Sequence, residues 1–333
     1  MKVCLYHEKG KLLSVSGIGN AFTNLEKAVK LNNIKYTTDP DDDYDILHLN
    51  FIGIQSLRLA LKAKMDKKKI VIHTHMTKED FMNSYVMSNL IASEIKFLLY
   101  NFYSMADCLI SPSNYTKGII RSYRIKNRIE VVSNGIDTKK FQPSKEKAAK
   151  FRKHYHITKP TVFSVGIPFK RKGIYDFIEI SKGFPELDFY WVGKKFNRMI
   201  LPDSRKAFEV ESKNMQFTGF VEDIIEAYSA GDIFLFPSYE ENQGIVILEA
   251  ASMGKPILIR DIPVYKDWLF HGENCLKAKS NAEFVRNIQK VMDDKQLRRK
   301  LIRGSLKLAK ENDLKIVGKR YKAIYQSLMV SKK

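Results

Sequence analysis

Two glutamates eight positions apart, Glu241 and Glu249, close the two ends of the run ENQGIVILE, and the second lies among apolar residues. A carboxylate in such a run is costly unless something pairs with it. The local pattern reads strand, polar loop, helix. The apolar stretch 232–236 stops at Pro237, residues 238–243 are polar, and a helix starts near Gly244. The first amides of a helix carry partial positive charge and suit a phosphate or a sugar oxygen. Gly244 has no side chain to keep a ligand from the backbone. On this reading Glu241 accepts hydrogen bonds from sugar hydroxyls and Glu249 holds a ribose diol. The plainer reading makes Glu241 a capping acid and leaves Glu249 in solvent.

A second turn of the same kind is SVGIPFKRKGIYDF, where Lys170, Arg171 and Lys172 precede Gly173 and a helix. Arginine forks onto two phosphate oxygens and lysine acts as a point charge, so the cluster suits a diphosphate; a solvated basic loop is the alternative. VIHTHMTKEDF ends a strand with His73 and His75, without a third zinc ligand nearby in sequence. His75, at the strand's end, can offer a neutral imidazole to a substrate hydroxyl. SVSGIGNAF has Gly17 and Gly19 but lacks the third glycine of a dinucleotide fingerprint, which leaves a phosphate-contacting loop or an ordinary tight turn. The acidic run DPDDDYD precedes its strand, at the end away from such sites, and reads as a solvated turn.

These turns need strands to hold them. Short apolar runs near 2–6, 45–50, 69–73, 107–111 and 129–132 alternate with helical stretches near 18–31, 54–65, 85–104 and 113–123. The pattern pauses over the polar residues 133–159 and restarts at TVFSVG. Strands then follow near 187–192, 214–217, 232–236 and 256–260, with helices near 173–182, 222–230 and 244–253. Such alternation predicts an α/β protein of two Rossmann-like, doubly wound parallel sheets facing a cleft, with sites at the carboxyl ends of strands. The expected domains are 1–157 and 158–312, with a last helix over about 313–333 packing back on the first.

The net charge is +20, with 27 basic against 15 acidic residues in 1–160 and 30 against 22 in 161–333. Both halves therefore favour polyanions, the first more so. The stretch LRLALKAKMDKKK sets Leu57, Leu61 and Met65 on one helix face beside Lys62 and Lys64. Lys117, Arg121, Arg124 and Arg128 recur at helical spacing, near the apolar IKFLLYNFY. Basic charge beside apolar side chains favours an anionic membrane surface over nucleic acid, and no nucleic-acid motif appears. No 18-residue apolar run and no signal peptide is apparent, and Cys4, Cys108 and Cys275 read as core thiols. The expected location is cytoplasmic, peripheral on the inner face of the cell membrane.

Taken together, these motifs resemble the retaining glycosyltransferases of family 4, which have the GT-B fold. EENQGIVILE matches that family's paired-glutamate element, VVSNGIDTKKF its interdomain turn, and VGIPFKRKG its phosphate turn. HTHMTKEDF is similar to a stretch of bacterial diacylglycerol glycosyltransferases, and the chain looks most like enzymes that make diglycosyl diacylglycerol. The resemblance implies UDP-glucose or UDP-galactose as donor, a glycolipid acceptor such as monoglucosyl diacylglycerol, and no metal. It implies that Glu249 binds the ribose, that Glu241 and the backbone of Asn242, Gln243, Gly244 and Ile245 hold the hexose and its phosphate, and that Lys172 neutralises the diphosphate. His75 would contact the transferred sugar and Gly17 the diphosphate. The chain departs from the pattern at Ile167, where the family carries an arginine, so Lys170 or Arg171 must supply that charge. It departs again at Asn242 and Gln243, which bear on the choice of sugar.

Overall fold

The computed structural model describes residues 1–8, 17–82, 88–194, 206–207 and 213–330. Two parallel sheets of six strands organise them. In the first, β1 (Lys2–Tyr6), β2 (Lys35–Thr37), β3 (Ile46–Leu49), β4 (Lys69–His73), β5 (Cys108–Ser111) and β6 (Arg128–Val131) lie in the order β2-β1-β3-β4-β5-β6. In the second, β7 (Thr161–Val165), β8 (Asp188–Val192), β9 (Met215–Gly219), β10 (Ile233–Phe236), β11 (Ile257–Arg260) and β12 (Leu276–Ala278) lie in the order β12-β11-β10-β7-β8-β9. All neighbouring pairs are parallel.

Parallel strands covered on both faces must be apolar on both, and these are. Val3, Leu5 and Val71 pack against the helices Gly17–Leu31 and Leu314–Val330. Their neighbours Cys4, Ile70 and Ile72 pack on the opposite face, against Ala92–Tyr103. In the second sheet Val162, Trp191 and Leu235 meet the helices Ile174–Ser181 and Asn281–Asp293. The three cysteines are buried and free, and burial pushes the thiols of Cys4 and Cys275 up to about 12.

The chain divides into two compact units, one comprising Met1–Phe81, Asn89–Asp137 and the segment from Asn312, the other Thr138–Glu311. The division falls at 137/138, not at the expected 157/158. The polar stretch after 137 contains the helix Lys145–His154, whose one buried residue, Phe151, lies against Tyr190 of β8. The helix Leu314–Val330 joins the core of the first unit. Its entry is built into the chain at NGID: Ile136 N–H donates to the Asn312 carbonyl at 2.9 Å, and Leu314 N–H donates to the Ile136 carbonyl at 3.1 Å. Gly135 there has φ of +70°, the left-handed region that favours glycine, and a Cβ would press on the Leu314 side chain.

In each sheet the strand order reverses once, between β1 and β3 and between β7 and β10. Crevices outside the carboxyl ends of strands at such points are the usual ligand sites of open α/β sheets.

Candidate active site

In the second unit the reversal brings together the two turns that sequence marks. Gly166 follows β7, and a single 3-10 turn, Lys170–Lys172, leads to Gly173. Gly173 has φ of +76°, and a Cβ on it would lie 2.3 Å from the carbonyl oxygen of Pro237, which ends β10. Only glycine lets the two turns press together so closely. Backbone bonds then lock them: Tyr239 N–H donates to the Arg171 carbonyl at 2.8 Å, and Arg171 Nη1 donates to the Glu240 carbonyl at 3.1 Å. Lys172 Nζ is paired with Glu241 Oε1, which also accepts from Ser238 Oγ at 2.8 Å. The side chains of Lys172 and Glu241 are 15% and 6% exposed, so this is a nearly dry ion pair, and removing either partner would strand the other's charge. Of the three cations Lys170 is exposed and Arg171 half-buried.

Gly244, with φ of +84°, starts the helix Ile245–Ser252. A Cβ there would lie 3.1 Å from Ile247 Cδ1 and 3.6 Å from Tyr265 Oη. The backbone angle itself favours glycine at 244, and a side chain there would press on Ile247. Asn242 is half-buried, while Gln243 and Ile245 are buried. Glu249, one turn further, is 5% exposed, which rules out the solvated reading. Tyr228 Oη donates to its Oε2 at 2.7 Å. Burial outweighs that bond and the Lys140 charge, and raises the carboxyl to about 7. Tyr228 had no sequence signal: it sits in EAYSAGD on an ordinary buried helix, and only packing reveals it. Ser238 is a second residue that sequence reading missed.

In the first unit His75 follows β4, is 8% exposed, and stacks on His73 with ring centroids 4.2 Å apart. His73 Nδ1 lies 3.0 Å from Asn50 Oδ1 and 3.2 Å from His48 Nε2, and Tyr321 Oη lies 3.3 Å from His73 Nε2. Tyr325 Oη lies 2.6 Å from His48 Nδ1. The C-terminal helix thus reaches the histidine row through two tyrosines. Burial lowers all three imidazoles, His48 and His75 to about 3, so they are neutral at pH 7. Among the described residues no group of three or more His, Cys, Asp or Glu side chains is placed to hold a metal ion. Gly17 is the first described residue of the Gly17–Leu31 helix, with open space where a Cβ would be; residues 14–16 of the predicted turn lie outside the described residues. Asp41, Asp42 and Asp43 pair with Lys62, Lys2 and Lys68 at the surface, as a structural acidic turn does.

The expected basic stripe is not one helical face. Lys117 and Arg121 lie on the helix Asn114–Ser122, but the chain then turns at Arg124, where φ is +65°. Arg128 starts β6 and bonds Glu130 and Ser327 Oγ at 2.8 Å each. The apolar residues are better placed. On the helix Ile54–Met65, Ile54, Leu57, Leu61 and Met65 are exposed, Met65 to 82%, with Lys62 and Lys64 exposed beside them. The helix Ala92–Tyr103 buries Leu99, Phe102 and Tyr103 and exposes Phe97, Leu98 and Tyr100. No helix of the described residues is long and apolar enough to cross a membrane.

Two doubly wound sheets, with a cationic turn and two buried glutamates at one reversal and a row of buried histidines along β3 and β4 of the other sheet, define a class. The chain belongs to the two-domain GT-B glycosyltransferases of group 1 and family 4: the Glycosyltransferase Family 4 model matches residues 23–140 and the Glycosyl transferases group 1 model residues 146–307. Within that class it is 36% identical over 338 residues, the whole of both chains, to the processive diacylglycerol alpha-glucosyltransferase of Acholeplasma laidlawii. It is 25% identical over 261 residues, 76% of this chain and 70% of the relative, to the alpha-galactosylglucosyldiacylglycerol synthase of Streptococcus pneumoniae. The fold is shared with Anabaena HepE, solved with UDP and glucose, at a TM-score of 0.75 and 16% identity over 98% of this chain and 99% of that one.

Proposed function

We propose that the protein moves a hexose from UDP-glucose or UDP-galactose to a glucosyl diacylglycerol, with retention at the anomeric carbon, giving diglycosyl diacylglycerol. The observation that carries this reading is the Lys172–Glu241 pair held at the β7/β10 reversal, in the loop that leads into the helix bearing buried Glu249, in a chain related end to end to a diacylglycerol glucosyltransferase.

Glu249 takes the ribose hydroxyls, which supply the donors a buried carboxylate lacks. Lys172, Arg171 and the backbone of Asn242, Gln243, Gly244 and Ile245 take the diphosphate and the hexose, and Glu241 turns to hexose hydroxyls as Lys172 turns to phosphate. His75, neutral, bonds a hydroxyl of the transferred sugar, and Gly17 lies beside the diphosphate. The bond from the anomeric carbon to the leaving phosphate breaks, the acceptor oxygen bonds that carbon on the same face, and the departing phosphate takes the acceptor's proton. Cations and helix amides stabilise the charge that gathers on the phosphate, and one such group is typically worth about a hundredfold in rate. This scheme gives a metal no part. The exposed apolar residues of Ile54–Met65 and Ala92–Tyr103, with Lys62, Lys64, Lys117, Arg121 and Arg124, seat the first unit on anionic lipid, on the inner face of the cell membrane.

The Acholeplasma laidlawii relative is by its name processive on diacylglycerol, which favours a second reading in which the same site also adds the first glucose. A matrix of UDP-glucose and UDP-galactose against diacylglycerol and monoglucosyl diacylglycerol in anionic micelles, with and without EDTA, tests both. Product on the glycolipid alone supports the main reading, product on both lipids the processive one, and none on either refutes both.

A further inference from the structure

The first unit has its own reversal, between β1 and β3, and His7 stands at it, directly after β1. The strand register places it. Leu5 pairs with His48, and His48 with Val71. Continued by two residues, the same register sets His7, Asn50 and His73 in one row across the sheet. The contacts agree: the His7 ring stacks 5.9 Å from Phe51, which follows Asn50; Asn50 bonds His73, and His73 stacks on His75. His7 and His75 therefore stand along the same carboxyl-end edge of the first sheet.

His7 is oddly equipped for a structural role. Both ring nitrogens are buried and neither has a hydrogen-bond partner among the described residues. The backbone of Glu8 and His7 favours the charged form of the ring, but burial outweighs it and keeps the imidazole neutral. A neutral imidazole is one donor and one acceptor, and leaving both unmet is destabilising. Its other neighbour is Phe22, with centroids 5.0 Å apart, so a phenylalanine in this aromatic slot would pack without that cost. Phe22 and Phe51 are themselves half-buried, and rotation of Phe51 would open the nitrogens to a ligand. A sugar hydroxyl both donates and accepts, and two adjacent hydroxyls match the two nitrogens.

We propose that His7 is an acceptor-binding residue that, with His75, holds hydroxyls of the sugar headgroup receiving the hexose. The assignment rests on the glycolipid reading above and adds to it a specific contact on the first unit.

The test compares purified wild type with His7→Phe. Thermal unfolding, the calorimetric Kd for UDP, and KM and kcat for monoglucosyl diacylglycerol in mixed micelles are measured on both. The expected result is an equal or higher Tm, an unchanged Kd for UDP, and a fall of about tenfold in kcat/KM for the acceptor. Wild-type kcat/KM for the acceptor in His7→Phe overturns the proposal while leaving the glycolipid reading intact. So does a loss of kcat/KM matched by a lower Tm and weaker UDP binding, which marks a packing role. A wild type that binds UDP but uses no glycolipid brings down both. Should His7→Phe fail to fold, nitrogen-15 NMR of the wild-type ring decides: His7 signals that move on adding the glycolipid micelles, and not on adding lipid-free micelles, support the assignment. Unmoved signals overturn it.

Discussion

Replacing Glu249 by glutamine separates what this residue costs from what it does. The carboxyl is 5% exposed and titrates at about 7 instead of 4.5 because burial disfavours its charge. The unfolded chain releases that proton near 4.5 while the folded chain keeps it to about 7. Between those values the folded state binds more protons, so stability falls as pH rises through the window. Two and a half units correspond to about 3 kcal/mol, all of it expressed above pH 7. Glu249→Gln keeps shape and can still accept from Tyr228, yet carries no charge. At pH 8 it should be more stable than wild type by up to about 3 kcal/mol, a gain that vanishes by about pH 4.5. Both tryptophans, Trp191 and Trp268, belong to the second unit, so urea unfolding followed by their fluorescence reports the unit that contains the substitution. The same variant should bind UDP at least about tenfold more weakly at pH 8, because hydrogen bonds to a charged acceptor are the stronger kind. Wild-type UDP binding near pH 6.5 should release a proton, visible as a dependence of the calorimetric heat on buffer. Parallel stability curves for variant and wild type from pH 5 to 8 would refute the desolvation argument; unchanged UDP affinity would remove Glu249 from the ribose.

Lys172→Ala should lower transfer about a hundredfold and, by stranding the Glu241 charge, destabilise the second unit by roughly 3 kcal/mol. Adding Glu241→Gln should restore stability but not turnover; recovered turnover in the double variant contradicts the role of Lys172. In the first unit His48 and His75 are held down to about 3, so their contribution to stability is complete above about pH 6.5 and is lost as pH falls toward 3. Amide exchange in β3 and β4, corrected for intrinsic rates, should accelerate between pH 7 and 4.5, and constant protection would argue against it. Neutralising Lys117, Arg121 and Arg124 together should weaken binding to anionic vesicles by about 3 kcal/mol, and Met65→Ser with Phe97→Ser should weaken it further. Sedimentation with vesicles of defined charge gives the answer, and undiminished binding by either variant removes its residues from the surface.

What could be read from the chain follows from where apolar periodicity is strong. Strands such as KVCLY and IFLF are buried on both faces and announce themselves, and so do the turns that follow them. The helix Lys145–His154 buries only Phe151 and has no apolar stripe to read, so the alternating pattern pauses where the second unit already begins. The edge strands Lys35–Thr37 and Leu276–Ala278 are three residues long and were missed for want of length. Residue type alone flagged Lys172, Glu241 and Glu249, but not that the first two are paired or that Tyr228 meets the third.

The missed edge strand has the larger consequence, because strand order in a parallel sheet is set by which side of the first strand each crossover takes. Without β2, β1 is an edge strand and its carboxyl end borders nothing. With β2 beside it, β1 becomes an inner strand and the chain must return across it to lay down β3, which opens a crevice at residues 7 and 50. His7 then changes from a histidine after a first strand to a group at the place where an open sheet binds ligands. The second sheet obeys the same logic from the other side. β8 and β9 run outward from β7 before β10 returns to its free flank, and the cationic turn and the glutamates fall at that return. Three residues of modest apolar character, KYT, thus decide whether His7 borders a crevice, which is why motif spacing could identify the second unit's site but left that of the first half-read.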